Sequence, residues 1–531
     1  MKKIELLDCT LRDGGYVNDW EFGHDNLVVL FERLVSSKVD YIEIGFMDDR
    51  RVFDENRSIT PGTEGMNKLY QGLNKGNAFV VGMIDYGTCD ISLIQPQKDT
   101  IMDGIRVIFK KQKMNEAISY MKQIQDLGYK VFCQAVSITS YNDEELARLI
   151  GLVNELNPYA FSLVDTYGLL HKEQLMHYYN FANEHLNADI RLGYHAHNNF
   201  QLAFANCVEL IETADERRTI LVDGTLYGMG KSAGNAAVEL LANYMNTHLG
   251  RHYHVNQMLE AIDVTIMDIY HRIPWGYNLK FFVSASNDCH PNYVTYLMDK
   301  KKLSMSSINH ILAKLEGEQK LLYDQDYIES LYVQYQKREC DDRVDFEALK
   351  EKLGGKKILL LAPGKKIYSQ KAKVDEYIAD NSPVIISINF IPAEYPVEYA
   401  FLSNAKRYAA QATKISKKDV KLIATSNVTK AEGCFDYMFS YSDLLDEQAL
   451  IVDNPMIMLI RLLNEIGVEQ IGLAGFDGYE KTALPNYINA NMEHTFSKEL
   501  AMEINDDVKK SIKRLGLNSE LTYVTESLYQ E

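Results

Sequence analysis

Short runs of β-branched and apolar residues recur along the first half of the chain, each followed by a longer amphipathic stretch. The strand-like runs are Ile4–Leu7, Tyr41–Phe46, Phe79–Ile84, Ile105–Phe109, Lys130–Val136, Ala160–Val164, Ile190–Tyr194 and Ile220–Val222. Strand alternating with helix over this length predicts a parallel sheet with crossover helices. Eight such units fit a closed (β/α)8 TIM barrel over residues 1–250, with a doubly wound open sheet as the alternative. From 251 to 353 the period turns helical, at Asn256–Tyr270, Ser304–Leu315 and Asp326–Gln336, which predicts a helical extension over the barrel. Glu351–Lys357, EKLGGKK, reads as a linker, because paired glycines among charges rarely sit inside an element. A second α/β pattern follows in KILLLAPGKKI, Val384–Asn389, Val420–Ser426 and Gln470–Tyr479, so residues 354–531 are expected to form a Rossmann-like α/β domain.

Composition narrows the partners. Of 531 residues 46% are hydrophobic and 24% charged, enough for sizeable cores. A net charge of −18 lacks the basic footprint that duplex binding needs, so no nucleic-acid partner is expected. Cys9, Cys89, Cys133, Cys207, Cys289, Cys340 and Cys434 are odd in number, widely spaced and free of any CxxC pair, which argues for reduced thiols. No window approaches the run of about 20 apolar residues that spans a membrane. The N-terminal MKKIELLDCTLRDGG lacks the apolar core and cleavage site of a signal peptide. A cytoplasmic location is the expectation, and a homo-oligomer is the common state for such a protein.

Catalytic groups of a barrel gather where its strands end. The first strand ends in LLDCTLRDGG, bringing Asp8, Arg12 and Asp13 to the rim, and the second in IEIGFMDD, bringing Glu43. The seventh ends in GYHAHNN, where period-two alternation turns His195 and His197 to the same face. The eighth runs into VDGTLYGMGKSAGNAAVE, a glycine-rich turn with Asp223 and Asn235. Strands one and seven flank strand eight in a closed barrel, so Asp13 can join the two histidines around one ion. Two imidazoles and a carboxylate leave positions for substrate and water. This mixed set suits a catalytic divalent ion, Mn²⁺ or Mg²⁺ first, Zn²⁺ or Co²⁺ next.

Together DCTLRDGG, GYHAHNN and VDGTLYGMGKSAGNAAVE resemble the family of 3-hydroxy-3-methylglutaryl-CoA lyase, the 4-hydroxy-2-oxovalerate aldolases and the isopropylmalate synthases. The resemblance spans about residues 1–300, and the last segment is nearest the aldolase branch. It implies a metal-dependent barrel with Asp13, His195 and His197 as ligands, Asn235 as a further oxygen ligand, and Arg12 as the arginine beside the enolate oxygen. Cleaving a bond β to a carbonyl leaves an enolate. A metal chelated by pyruvate's oxo and carboxylate groups, with a guanidinium beside it, spreads that charge. The aldolase branch carries LRDGxH, whereas this chain has RDGGY, with Tyr16 at the histidine's place. Tyr16 is thus a candidate catalytic group, although a phenol with a pKa near 10 is a poor base without a nearby cation.

Glu43 is a candidate partner of a ligand histidine, fixing its tautomer. Arg106 can bind a substrate carboxylate bidentately or pair with an inner carboxylate. Gln134, Ser137, Asp165 and Thr166, ending strands five and six, are candidate substrate contacts, and Tyr277, His290 and Tyr293 lie in the extension. In the second domain GFDG loosely resembles turns of Rossmann-like bacterial surface-polysaccharide proteins. With APGKKI it points to a nucleotide or nucleotide-sugar site near Gly364, Asn389 and Asp477. The leading functional expectation is a lyase: an aldolase cleaving or forming a 4-hydroxy-2-oxo acid, with an oxo acid and an aldehyde as partners. A Claisen-type acyltransferase joining acyl-CoA to a 2-oxo acid, and a non-catalytic scaffold, are the alternatives.

Overall fold

The computed structural model of the chain describes residues 2–300, 303–320, 322–336, 340–415, 419–428, 435–479 and 498–530, so Cys434 lies outside the described residues. These fall into two compact units, Met1–Val294 with Leu315–Tyr323, and Thr295–Lys314 with Asp324–Glu531. No helix among the described residues is long and apolar enough to cross a membrane.

The first unit holds eight consecutive parallel strands: β1 Ile4–Asp8, β2 Tyr41–Met47, β3 Phe79–Asp85, β4 Gly104–Phe109, β5 Lys130–Ala135, β6 Ala160–Asp165, β7 Arg191–Ala196 and β8 Ile220–Gly224. Leu7 and Asp8 of β1 pair with β2, while all of β1 pairs with β8, so the sheet closes into a TIM barrel and the open alternative is excluded. Its helices follow the expected logic. Asp143–Leu156 begins with a capping box between Asn142 and Glu145, buries Leu146, Leu149, Ile150 and Val153 on one stripe, and stops at Asn157 with φ of 50°.

Alternation along the strands builds the interior in layers. Leu7, Tyr41, Val81, Phe132, Ala160 and Leu221 form an apolar floor with Cys9. Gly104 belongs to this layer, since a Cβ there would lie 2.9 Å from the Phe132 ring. Two residues further along the same inward faces come Glu43, Arg106, Gln134, Ser162 and Asp223, all buried. The barrel therefore carries an apolar plug below and a polar layer above, on the side where the strands end. After the barrel, Val255–Ala261, a π-helical turn at Ile262–Ile266 and Met267–Arg272 form an interrupted helix, followed by Leu279–Ser286.

The second unit holds a seven-stranded parallel sheet: β9 Lys357–Leu361, β10 Val384–Ile388, β11 Tyr399–Leu402, β12 Lys421–Thr425, β13 Tyr437–Phe439, β14 Gln470–Ala474 and β15 Glu520–Tyr523, in the order β13-β12-β11-β10-β9-β14-β15. Apolar clusters cover both faces, which is why runs such as KILLL and VIISI are apolar throughout and do not alternate. The arrangement is Rossmann-like, with its direction of winding reversed between β9 and β14. Pro455–Ile466 shows why its helix sits where it does: Asn454 caps it, Pro455 opens it and Gly467 closes it at φ 81°. The expected linker is shorter than read. Glu351–Leu353 complete the helix Arg343–Leu353, and its buried Leu349 and Leu353 join the core of this unit.

Candidate metal centre at the barrel mouth

The loop after β1 turns at once into Thr10–Asp13, a single helical turn that buries Arg12 and Asp13. His195 sits inside β7, and His197, just beyond it, bridges Asn235 of the β8 turn. These three elements bring one ligand atom each of Asp13, His195 and His197 within 4.8 Å of one another, all three buried. The imidazole centres are 5.0 Å apart and near perpendicular. Asn235 joins through Nδ2, which donates to Asp13 Oδ1 at 2.9 Å. The backbone N–H of Lys231 donates to the same oxygen at 3.0 Å.

Two observations test whether these residues suit an ion. Asn235 Oδ1 and His197 Nδ1 are buried without a hydrogen-bond partner among the described residues, although buried polar atoms normally have one. His195 Nδ1 lies 3.0 Å from Asp223 Oδ2, so Nδ1–H donates to that carboxylate and Nε2, 3.4 Å from Asp13 Oδ2, keeps its lone pair. Asp13 and His197 are held in the forms that bind a metal, whereas His195 has to give up a proton to do so. Burial would raise the Asp13 carboxyl, but Arg12 and both histidines hold it well below the usual range. Burial pushes His197 down to about 3, against the pull of Asp13, so its ring is neutral at physiological pH. Burial also lowers His195, but Asp13 and Asp223 outweigh it and raise its pKa. Cys9, His195 and Asp223 form a second close set. Burial drives the Cys9 thiol well up and Arg106 holds Asp223, so this set supports His195 and is a poor ion site.

Arginines organise the layer beneath. Arg12 donates through Nε to Glu43 Oε2 at 2.7 Å and through Nη1 to Asp13. Its Nη2 makes no hydrogen bond among the described residues. Arg106 donates to Glu43 at 3.0 Å, to Gln134 at 3.1 Å and to Asp223. Glu43 therefore bonds two arginines and neither histidine. The histidine partner is Asp223, and the tautomer-fixing role expected of Glu43 passes to it. Arg106 is 1% exposed and pairs with inner carboxylates, the second of the two arrangements its position allowed.

The remaining candidates separate cleanly. Gln134 bridges Arg106 and Ser162, its Nε2 donating to Ser162 Oγ at 3.0 Å. Thr166 Oγ1 accepts from the Ser137 backbone at 2.7 Å, and Asp165 accepts from the Leu169 and Leu170 backbones, so these shape a turn. Asp8 holds Thr10 through backbone and hydroxyl. Tyr16 is 39% exposed, its ring tilted 59° to Trp20 with centroids 4.8 Å apart, and Lys231 Nζ lies 5.5 Å from its ring centre. Desolvation outweighs Arg12 and raises its phenol pKa, so the hydroxyl is neutral at physiological pH. Tyr277 is exposed, whereas Tyr293 is buried with its hydroxyl 2.6 Å from the Gln319 carbonyl. Burial and nearby lysines lower His290 to about 4. In the second unit Gly364 and Asp477 meet: Gly364 N–H donates to the Gly475 carbonyl at 3.0 Å and Asp477 accepts from Lys366 N–H at 2.9 Å. Asn389 turns instead to the next strand end, accepting from Ser403 N–H at 3.1 Å.

A closed parallel barrel with a carboxylate and two histidines converging where its strands end defines a candidate metal-binding (β/α)8 protein. Residues 90–266 match the family described as HMGL-like, so the barrel carries an HMGL-like domain. Over 288 residues the chain is 22% identical to an oxaloacetate decarboxylase of Mycobacterium tuberculosis, covering 52% of this chain and 79% of that one. It is 25% identical over 244 residues to a 4-hydroxy-2-oxovalerate aldolase of Pelotomaculum thermopropionicum, covering 45% and 69%. It is also 25% identical over 251 residues to a 2-isopropylmalate synthase of Saccharolobus solfataricus, covering 45% and 61%. Relatives of the barrel thus bear names from lyase and synthase chemistry, and the second unit is outside the family match.

Proposed function

We propose that the barrel is a divalent-metal-dependent aldolase, a carbon–carbon lyase that cleaves or forms a 4-hydroxy-2-oxo acid through a pyruvate-type enolate. The observation that carries this reading is the buried Asp13–His195–His197 cluster with the Arg12 guanidinium bonded to Asp13 and its Nη2 unengaged. A divalent ion, Mn²⁺ or Mg²⁺ before Zn²⁺ or Co²⁺, held there with Asn235 as a further oxygen donor, would polarise the 2-oxo group of the acid. Arg12 stays protonated, since its pairs with Glu43 and Asp13 outweigh its burial. It can donate through Nη2 to the oxygen on which enolate charge develops, at no cost of reorientation because Glu43 already fixes its plane. Asp223 holds the His195 ring in the tautomer that leaves Nε2 free. Tyr16, a neutral hydroxyl at the mouth, can donate a hydrogen bond to the substrate. Equilibrium dialysis with Mn²⁺ tests the site: one ion per chain, lost in Asp13→Asn and His195→Ala, is expected, whereas retention in both variants would overturn it.

The synthase relative favours one second reading, condensation of an acyl-CoA with a 2-oxo acid. Release of free CoA thiol on mixing acetyl-CoA with 2-oxo acids would select it over the aldolase. For the second unit we propose a nucleotide or nucleotide-sugar site where β9 and β14 end, beside Gly364 and Asp477, supported by the reversal of winding there. Calorimetric heat with cytidine or uridine nucleotides is expected. No heat with any common nucleotide would remove this assignment.

A further inference from the structure

The barrel mouth holds an ammonium group that forms no ion pair among the described residues. Lys231 follows the Gly228–Met229–Gly230 turn after β8, and its backbone N–H on Asp13 fixes the root of its side chain beside the ligand cluster. Its Nζ stands over the half-exposed Tyr16 ring and, among the described residues, makes no hydrogen bond and no ion pair. The same rim carries more positive charge. Lys110, just past β4, and Lys280 act with Lys231 on the His290 imidazole. The acidic group among them is Asp85, ending β3, which burial keeps above the ordinary carboxyl range and which forms no ion pair with either Lys110 or Lys231. Arg50 nearby is already closed on Asp48 in a bidentate pair.

A partly buried cation without a counter-ion is expensive unless a ligand supplies the anion. The 2-oxo acid does not need it, because the ligand cluster and Arg12 already offer its oxygens their partners. Lys231 Nζ instead lies 5.5 Å from the ring centre of Tyr16, the exposed aromatic at the mouth of the site. We infer that Lys231 is the specificity residue for the electrophile and holds an anionic group on it, a carboxylate or a phosphate, so that the enzyme prefers acid-bearing aldehydes over simple alkanals. This rests on the aldolase reading above.

The test measures kcat/KM of the Mn²⁺-loaded full chain with pyruvate and each of three small aldehydes: glyoxylate, glycolaldehyde phosphate and neutral glycolaldehyde. The readout is the ratio of anionic to neutral aldehyde, from which any change in pyruvate handling cancels. The wild type should favour one of the two anionic aldehydes, and which one identifies the group as carboxylate or phosphate. Lys231→Met should cut that ratio on the order of 30-fold, and Lys231→Arg should keep most of it. A wild type that prefers glycolaldehyde, or a ratio unmoved in Lys231→Met, overturns the inference. Exchange of the pyruvate methyl hydrogens reports separately on the aldolase reading. Should that exchange be absent, calorimetry with inorganic phosphate decides the anion site alone: binding weakened in Lys231→Met supports it, and no binding, or equal binding, overturns it.

Discussion

The two parallel sheets treat the polar groups at their strand ends in opposite ways. Where the barrel strands end, Arg12, Asp13, Glu43, Arg106, His195 and Asp223 are buried ionisable groups linked into one network, with His197 buried beside it. Where the second sheet ends, the described hydrogen bonds do not join into a network of ion pairs: Asn389 bonds Ser403, Thr525 Oγ1 accepts from Gly475 N–H at 2.9 Å, and Asp477 accepts from the Lys366 backbone N–H. Hydrogen bonds of that kind finish a fold. A buried network of charges is costly to desolvate and is weak evidence for stability, so its presence at the barrel mouth signals chemistry. Within the barrel, the buried Asn235 Oδ1 and His197 Nδ1 have no hydrogen-bond partner among the described residues, and both residues belong to the cluster around Asp13.

This contrast can be broken, beginning with the largest effect. Asp13→Asn or His195→Ala should weaken Mn²⁺ binding by on the order of 1,000-fold in dialysis while the far-ultraviolet circular dichroism stays native. Asn389→Ala in the second sheet should leave binding unchanged and cost about 1–3 kcal/mol in denaturant melts. Arg106→Met should destabilise the barrel by about 3–5 kcal/mol, because it breaks buried ion pairs to both Glu43 and Asp223 and leaves Glu43 to Arg12 and Asp223 to His195 alone. A melt within 1 kcal/mol of wild type, on the order of experimental error, would mean the network is not desolvated. Asp223→Asn should weaken the metal by about 10–100-fold through loss of the histidine's hydrogen-bond acceptor charge.

Acidity should act on the ion through one histidine. Asp13 is held ionised and His197 stays neutral down to about pH 3, whereas the raised pKa of His195 keeps its proton longer. Metal affinity should therefore fall by about tenfold per unit as pH drops below the His195 titration, and a calorimetric series with pH reads the slope. The smallest effect belongs to Tyr16. With a raised phenol pKa its hydroxyl is neutral at physiological pH, so Tyr16→Phe should change kcat less than tenfold, on the order of one lost hydrogen bond. A loss of 1,000-fold or more would restore Tyr16 as the proton-transfer group, a contribution on the order of general acid–base catalysis.

What the sequence revealed depended on how local the cause was. All eight barrel strands were legible because each is an apolar run between polar turns, and alternation within one strand put His195 and His197 on one face. Partners across the barrel were not legible. Which carboxylate meets His195 depends on strand stagger, and it is Asp223 of the adjacent β8 while Glu43 of β2 goes to the arginines. Lys231 was hidden for the same reason, since only the return of the β8 turn onto Asp13 brings it to the site. In the second sheet, Tyr399–Leu402, Tyr437–Phe439 and Glu520–Tyr523 escaped notice because strands of three and four residues carry too little pattern.

Deuterium exchange into the pyruvate methyl group, followed by proton NMR with Mn²⁺ and with chelator, tests the central claim most directly. It reads enolate formation without requiring the aldehyde. Exchange that depends on metal and disappears in Asp13→Asn and His195→Ala is the predicted result. Exchange absent with every divalent ion, in protein shown by dialysis to hold one, would contradict the pyruvate enolate and leave the acyl-CoA condensation as the better account of the same site.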